Sequence, residues 1–308
     1  MPGPIAFGAG RRTSVKKRST VLDAGLPGWL NAALVAGTAA ALLYFETRRP
    51  LRRTRQEKVR RNLRNLAMSG TTAAAVGAVE KPVALYLMKA SKRLRFGLLR
   101  WIRMPAWLEL LVSVLLLDYT LYIWHVLTHR VPALWRLHQV HHADLDLDAS
   151  TALRFHPGEM VLSAPWRGAQ VLLLGVSPPG LSLWQTLTLL EILFHHSNVR
   201  LPIEFERRLS RVIVTPRMHG IHHSIVHEET DSNWATIFSW PDYLHRTARL
   251  NVPQGEITIG VPAFQDPEEL TLKGVLELPV AGSRPSWRFA DGGSPERDRT
   301  GSRTRLLA

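Results

Sequence analysis

The chain has no cysteine among its 308 residues. That excludes disulfides, thiolate zinc sites and cysteine-ligated iron–sulfur clusters. No flavin-binding motif is present either, and no internal repeat of the solenoid kind. Acidic residues are scarce: 25 Asp and Glu face 39 Lys and Arg, for a net charge of +14 and a pI near 10.9. The basic residues flank apolar stretches and accompany no nucleic-acid-binding motif, so they point to a membrane surface and away from nucleic acid. Histidine is missing from the entire stretch up to Trp124, yet the chain holds 13.

The length allows one or two domains. A mean hydropathy of −0.04 is low for a membrane protein, but polar and apolar segments are segregated. Leu26–Phe45 is uncharged and long enough to span a bilayer. Arg11–Arg18 before it read as the basic flank of a signal anchor. Asn65–Val79 with Val83–Met88 reads as a second span, interrupted by Glu80, Lys81 and Pro82. Trp107–Trp124 is a third, with Glu109 and Asp118 embedded. Ala169–Leu190 is uncharged but split by Pro178-Pro179-Gly180, which predicts two half-helices or a re-entrant hairpin. Ser91–Met104 alternates basic with large apolar residues and reads as an amphipathic surface helix. The arginines of 48–64 belong on the cytoplasmic side by the positive-inside rule and suit lipid headgroups. A cytosolic end to the third span puts the basic segment 89–103 on the opposite side, against that rule.

The expected fold is all-α: an integral membrane helical bundle of about four membrane segments with a cytosolic, histidine-rich helical cap. Residues 1–25 form a disordered basic leader, 26–280 the membrane-embedded domain, and 281–308 a disordered tail rich in Gly, Ser, Arg and Asp. Ile257–Val261 carries a little strand character.

The histidines fall into runs with ligand spacing: His125 and His129; His138, His141 and His142; His195 and His196; His219, His222 and His223. On a helix, positions i, i+3 and i+4 share a face. Each run therefore aims several imidazoles one way, and together they exceed what one metal ion uses. A two-metal centre follows. Imidazole suits iron, zinc and copper; the Glu-x-x-His pairs of ferritin-like di-iron bundles are missing, so an all-histidine di-iron centre fits better. Asp118, Tyr122, His125 and His129 line one helical stripe, and Asp118 is placed to fix the tautomer of a ligating imidazole. His227 and His245 read as ordinary surface or core residues. His156-Pro157-Gly158 begins like a haem motif, but Glu159 breaks it.

These residues carry a resemblance. The stretch DYTLYIWHVLTH (118–129), then LWRLHQVHHADLDLDASTALRFHPGE (134–159), FHHSNVRLP (194–202) and TPRMHGIHHSIVHEETDSNWATIFSWPDYL (215–244) resemble the sterol desaturase branch of the fatty acid hydroxylase superfamily. The similarity extends through ITIGVPAFQDPEELTL (257–272). It implies a non-haem di-iron oxygenase of the membrane, with two iron ions as cofactor and O2 as co-substrate. The family's three motifs fall on His125 and His129, on His138, His141 and His142, and on His219, His222 and His223. A further ligand falls on His196, followed by Ser197-Asn198. His195, His156 and Asn198 take supporting places around the metal. No protein acid or base is implied beyond the centre itself. His245 and Arg246 depart from the family's Phe and Gly, and Ala235 from a common Gly, which touches substrate or partner surfaces and not the metal.

The function implied is O2-dependent hydroxylation or desaturation of a lipid C–H bond. Electrons come from an external ferredoxin- or cytochrome b5-type donor with its reductase. Two other classes fit the sequence less well: a catalytically inactive scaffold of the same family, and a histidine-rich membrane protein that handles metal.

Overall fold

The computed structural model describes residues 27–281 and 284–297. The basic leader expected at 1–25 and the end of the tail, 298–308, lie outside the described residues. Among the described residues the chain is helical, with three isolated β-bridges and no strand. Ile259 makes one such bridge, to Ser224.

Among the described residues two helices are long and apolar enough to cross a membrane: α1 (Gly28–Arg48) and, after the segments described next, α5 (Ala106–Arg130). The second apolar stretch takes another form. Helix α2 (Lys58–Ala75) runs through a π-helical turn (Val76–Glu80) directly into α3 (Lys81–Leu94). Pro82 does not end the helix, because the wide turn before it already lacks the hydrogen bond that proline would remove. Glu80 is buried and accepts from Ser163 Oγ at 3.0 Å and Arg167 Nε at 3.4 Å. The long helix is thus amphipathic along its length, unlike α1.

The surface helix expected over Ser91–Met104 does not form. Helix α3 stops at Leu94, Arg95 adopts a left-handed conformation (φ 51°), and only a single turn, α4 (Leu98–Trp101), follows. The reason is a close approach. A Cβ on Gly97 (φ 122°) would lie 2.5 Å from the Cα of Gly175, so the chain must turn where the two glycines meet.

The Pro-Pro-Gly break does divide the last apolar stretch into two helices, α7 (Pro157–Leu174) and α8 (Pro178–His196). Ser177 caps α8, its Oγ accepting from Gly180 N and donating to Glu109 of α5 at 2.9 Å. The embedded Glu109 is therefore a latch between helices. Val114, Leu117, Val171, Leu181 and Trp184 fill the space between α5, α7 and α8.

Helices α1, α5 and α8 end together, and the cap is built on those ends. It comprises α6 (Pro132–His142), α9 (Ile203–Leu209), α10 (Pro216–His222), α11 (His227–Thr230), α12 (Trp240–His245) and α13 (Leu272–Glu277). The chain leaving α1 pairs with the chain leaving α8, with Leu51 N donating to Asn198 O and Arg200 N to Arg49 O, both at 2.8 Å. The arginines of 48–64 are not all at the surface. Arg52 and Arg61 are buried, and Arg61 joins Asp148 at 2.5 Å.

Residues 284–297, part of the expected disordered tail, pack on the cap. Ser286 Oγ accepts from Trp135 Nε1 at 3.0 Å, Trp287 stacks on Trp135, and Arg297 pairs with Glu229. Composition hides this because tryptophan contacts and the ion pairs of Arg284 and Arg297 anchor an otherwise polar segment.

Candidate metal centre

The histidine runs converge at the joint between bundle and cap. Helix α5 brings His125 and His129, α6 brings His138, His141 and His142, α8 ends in His195 and His196, and α10 and its cap bring His219, His222 and His223. Two groups of four result: His125, His129, His142 and His222; and His141, His196, His219 and His223. Within each group one nitrogen per ring lies within 4.8 Å of the others. The groups touch where His142 and His223 stack, with centroids 4.3 Å apart.

The hydrogen bonds assign the ring nitrogens. His125 Nδ1 donates to Trp234 O at 2.7 Å, His222 Nδ1 to Ser232 O at 2.8 Å and His196 Nδ1 to Ile192 O at 2.7 Å. With the proton on Nδ1, each Nε2 carries a bare lone pair. Yet His125 Nε2 lies 3.1 Å from His222 Nε2, and His196 Nε2 lies 3.0 Å from both His141 Nε2 and His219 Nε2. Lone pairs facing at that distance repel unless a cation sits between them. Two imidazoles at a metal–nitrogen bond of about 2.1 Å, a right angle apart, have nitrogens about 3.0 Å apart. The spacing is that of adjacent metal ligands. Both nitrogens of His129 and His142 are buried with no protein partner, as are Nδ1 of His141, His219 and His223. Such orphans need an occupant.

Burial and neighbouring imidazoles hold His141, His142, His219 and His223 well below the usual histidine range. Burial pushes His222 down to about 3. The rings are neutral at physiological pH, which is the ligating form.

His138 belongs to neither group of four. Its Nδ1 lies 2.9 Å from Glu159 Oε1, while Nε2 is buried without a partner, and its ring stands 5.3 Å from His125 and 4.9 Å from His129. His195 lies beside the second group: Nδ1 donates to Thr236 O at 3.2 Å and the ring packs 4.1 Å from His219.

The other supporting residues sit differently from expectation. Asp118 does not meet an imidazole; its carboxylate accepts from the N–H groups of Ile237 and Phe238, both at 3.1 Å. It holds the loop whose carbonyls orient His125 and His195. His156 is a helix cap: Nδ1 accepts from Gly158 N and Nε2 donates to Leu276 O. Asn198 bonds the backbone of Arg52 on both sides, at 2.8 and 2.9 Å, and so ties the exit of α1 to the end of α8.

Several residues escape sequence reasoning. Asp242 accepts from Trp234 N, Ala235 N and Thr247 Oγ1, pinning the other end of the orienting loop. Glu159 orients His138. In the run Asp144-Leu145-Asp146-Leu147-Asp148 every residue is buried. Asp144 gathers Arg61, Arg64, Arg154 and Asn65 directly behind the histidines of α6. Burial alone would raise its pKa, but Arg61, Arg154 and Arg64 outweigh it and bring it down to about 2. The strict alternation of Asp and Leu was the available signal. Of the two family departures, His245 stacks on Tyr122 and meets Tyr119 Oη at 3.1 Å, while Arg246 takes the left-handed conformation (φ 59°) that a glycine adopts freely.

Fold and site define the class: an all-helical protein whose apolar helices carry a buried cage of imidazoles fit for two metal ions. Residues 110–247 match the fatty acid hydroxylase family. The chain is 29% identical over 147 residues to a cholesterol 25-hydroxylase-like protein of Danio rerio, covering 45% of this chain and 55% of the relative. It is 27% identical over 215 residues to the ornithine lipid hydroxylase OlsE of Rhizobium tropici, covering 67% and 62%. Cholesterol 25-hydroxylase of Homo sapiens is 28% identical over 177 residues, covering 51% and 61%. These alignments span 55% to 62% of the relatives' own lengths. No solved structure matches the chain significantly. Over residues 110–247 the chain is similar to the fatty acid hydroxylase family.

Proposed function

We propose that the protein is an O2-dependent lipid hydroxylase whose imidazole cage holds two iron ions. The observation that carries this reading is the pair of four-histidine groups with nitrogens at adjacent-ligand spacing. His125, His129, His142 and His222 hold one ion and His141, His196, His219 and His223 the other, with His138 a further ligand on the first side. The relatives' names favour hydroxylation over desaturation. When bound, the metal pair supplies O2 reduction and attack on an unactivated C–H bond.

The chain's own residues orient and exclude. Backbone carbonyls of Trp234, Ser232 and Ile192 fix the ligand tautomers. Trp234, Met218 and Ile221, all buried, keep bulk water from the cage. The lipid reaches the site from the bilayer along the bundle. On α8, Trp184, Thr188, Glu191 and His195 follow one stripe toward the cage, and Trp184 Nε1, Thr188 Oγ1 and Glu191 Oε1 are buried without protein partners. Those atoms suit a polar group of the substrate or a water beside it. Beyond α1 and α5, the amphipathic α2–α3 helix and the α7–α8 pair complete the membrane body. Arg48, Arg49, Arg53 and Arg200, exposed at the cap end, support a cytoplasmic position for the metal site. Electrons come from a separate ferredoxin- or b5-type donor.

The test is metal analysis of detergent-purified protein with Mössbauer spectroscopy after iron-57 growth. About two coupled irons per chain are expected, followed by a hydroxylated lipid that disappears on deletion. No bound metal after anaerobic Fe(II) reconstitution would overturn the reading.

A further inference from the structure

Between the cage and the outer surface of the cap runs a short file of aromatic rings. Its inner member is His129, in the first four-histidine group. Trp135 packs on it with centroids 4.8 Å apart, and also stands 5.5 Å from His142. Trp287, from the tail segment, stacks on the other side of Trp135 at 5.2 Å with planes 21° apart. His227 stacks on Trp287 at 4.2 Å and is about half exposed. Trp135 is buried, Trp287 half-buried and the following Arg288 exposed.

The file is fixed in place, which separates it from chance packing of a loose tail. Trp135 Nε1 donates to Ser286 Oγ, and that hydroxyl donates onward to Gln139 Oε1 at 3.0 Å, one turn along α6. Ala263 N donates to Ser286 O at 3.2 Å. Arg284 pairs with Glu269 and Arg297 with Glu229, one on each side of Trp287. Two ion pairs and two side-chain hydrogen bonds thus position a single indole over another indole that touches a ligand ring.

This arrangement meets a need set by composition. The chain has no cysteine and no redox cofactor motif, so each electron must cross from a separate protein to a buried cage. Electron transfer falls steeply with distance through saturated chain and is favoured by stacked π systems. We propose that Trp287 and Trp135 form the electron entry of this protein, their stacked rings coupling the buried cage to a one-electron carrier protein that docks over the tail segment. The proposal rests on the di-iron reading. Each delivery oxidises the carrier by one electron and reduces one Fe(III) to Fe(II). Two deliveries balance a hydroxylation in which R–H, O2, two electrons and two protons give R–OH and water.

The absence of cysteine makes the test direct, because Arg288→Cys carries one ruthenium photoreductant at a defined place. In the full-length, iron-loaded protein, a flash injects an electron beside Trp287, and reduction of the ferric centre is followed optically and by Mössbauer spectroscopy. Adding Trp287→Leu or Trp135→Leu to the labelled protein is expected to slow that reduction about tenfold or more, with iron content unchanged. Trp287→Phe, which keeps a ring in place, guards against loss of the tail's packing and should show an intermediate rate. Unchanged rates in all three overturn the entry route and leave the stack a cover for the cage. Iron content is measured first on the same samples: failure to bind iron overturns the oxygenase reading itself, whereas bound iron with unchanged rates overturns only this inference.

Discussion

His125 Nδ1 lies 2.7 Å from the carbonyl oxygen of Trp234, and that carbonyl is aimed by two buried carboxylates on other elements. Asp242 holds the N–H groups of Trp234 and Ala235, and Asp118 those of Ile237 and Phe238. Removing either acceptor frees the loop and lets the imidazole turn. Asp242→Ala and Asp118→Ala are expected to weaken metal binding at the first group about 10- to 100-fold, the usual loss when a ligand's orienting partner is removed. The second group, oriented by Ile192 O on α8, should keep its affinity. Stepwise metal titration checks this, and equal loss at both groups would contradict it.

The histidine clusters were legible because spacing alone puts them on helix faces, and the all-α class followed from the same periodicity. The supporting residues were not. Asp118 shares a stripe with His125, which suggested direct contact, but the side chain meets the backbone of a segment more than a hundred residues on. Sequence periodicity reports a face and not its partner. Pro82 misled in the same way: it reads as a helix breaker, and only the π turn before it shows why the helix continues. Gly97 and Gly175 stop the expected surface helix through a contact between turns distant in sequence. The packing of residues 284–297 depends on Trp287 finding Trp135, which no local signal announces.

The two groups predict different stoichiometries for matched substitutions. His142→Ala removes a ligand from the first group and His223→Ala one from the second, although their rings stack on each other. Each variant should retain about half the wild-type metal and lose turnover, since a single ion cannot replace a pair. His138→Ala, which leaves both groups of four complete, should retain more metal than His129→Ala. Inductively coupled plasma mass spectrometry on the purified variants decides the order, and metal loss in His138→Ala matching that in His129→Ala would place His138 among the essential ligands.

Asp144 is the hub behind the α6 ligands, buried with Arg61, Arg64 and Arg154 around it. Arg154 has no exposure and also donates to Val140 O at 3.0 Å. Asp144→Ala strands buried guanidinium groups without their shared counter-charge. Breaking a buried pair by removing one partner costs about 3–5 kcal/mol. A lowered melting temperature in detergent is expected even in the metal-free protein, which separates this effect from ligand loss. An apo protein that melts at the wild-type temperature would mean that the arginines find other partners.

A chain ended at residue 281 offers the sharpest contrast between composition and structure. By composition the tail is dispensable. In the structure its removal uncovers Trp135 and leaves Glu229, which is 2% exposed, without the Arg297 guanidinium. Losing a charge-assisted partner and part of an indole's cover should together cost roughly 2–4 kcal/mol. Arg297→Gln should reproduce the electrostatic part alone and Trp287→Ala the packing part. Because Trp135 packs on His129 and His142, the truncated chain should also release metal from the first group faster than from the second. Thermal unfolding and chelator-driven metal release measure the two effects separately. A truncated chain indistinguishable from wild type in both would show that the contacts of 284–297 contribute nothing to the cage.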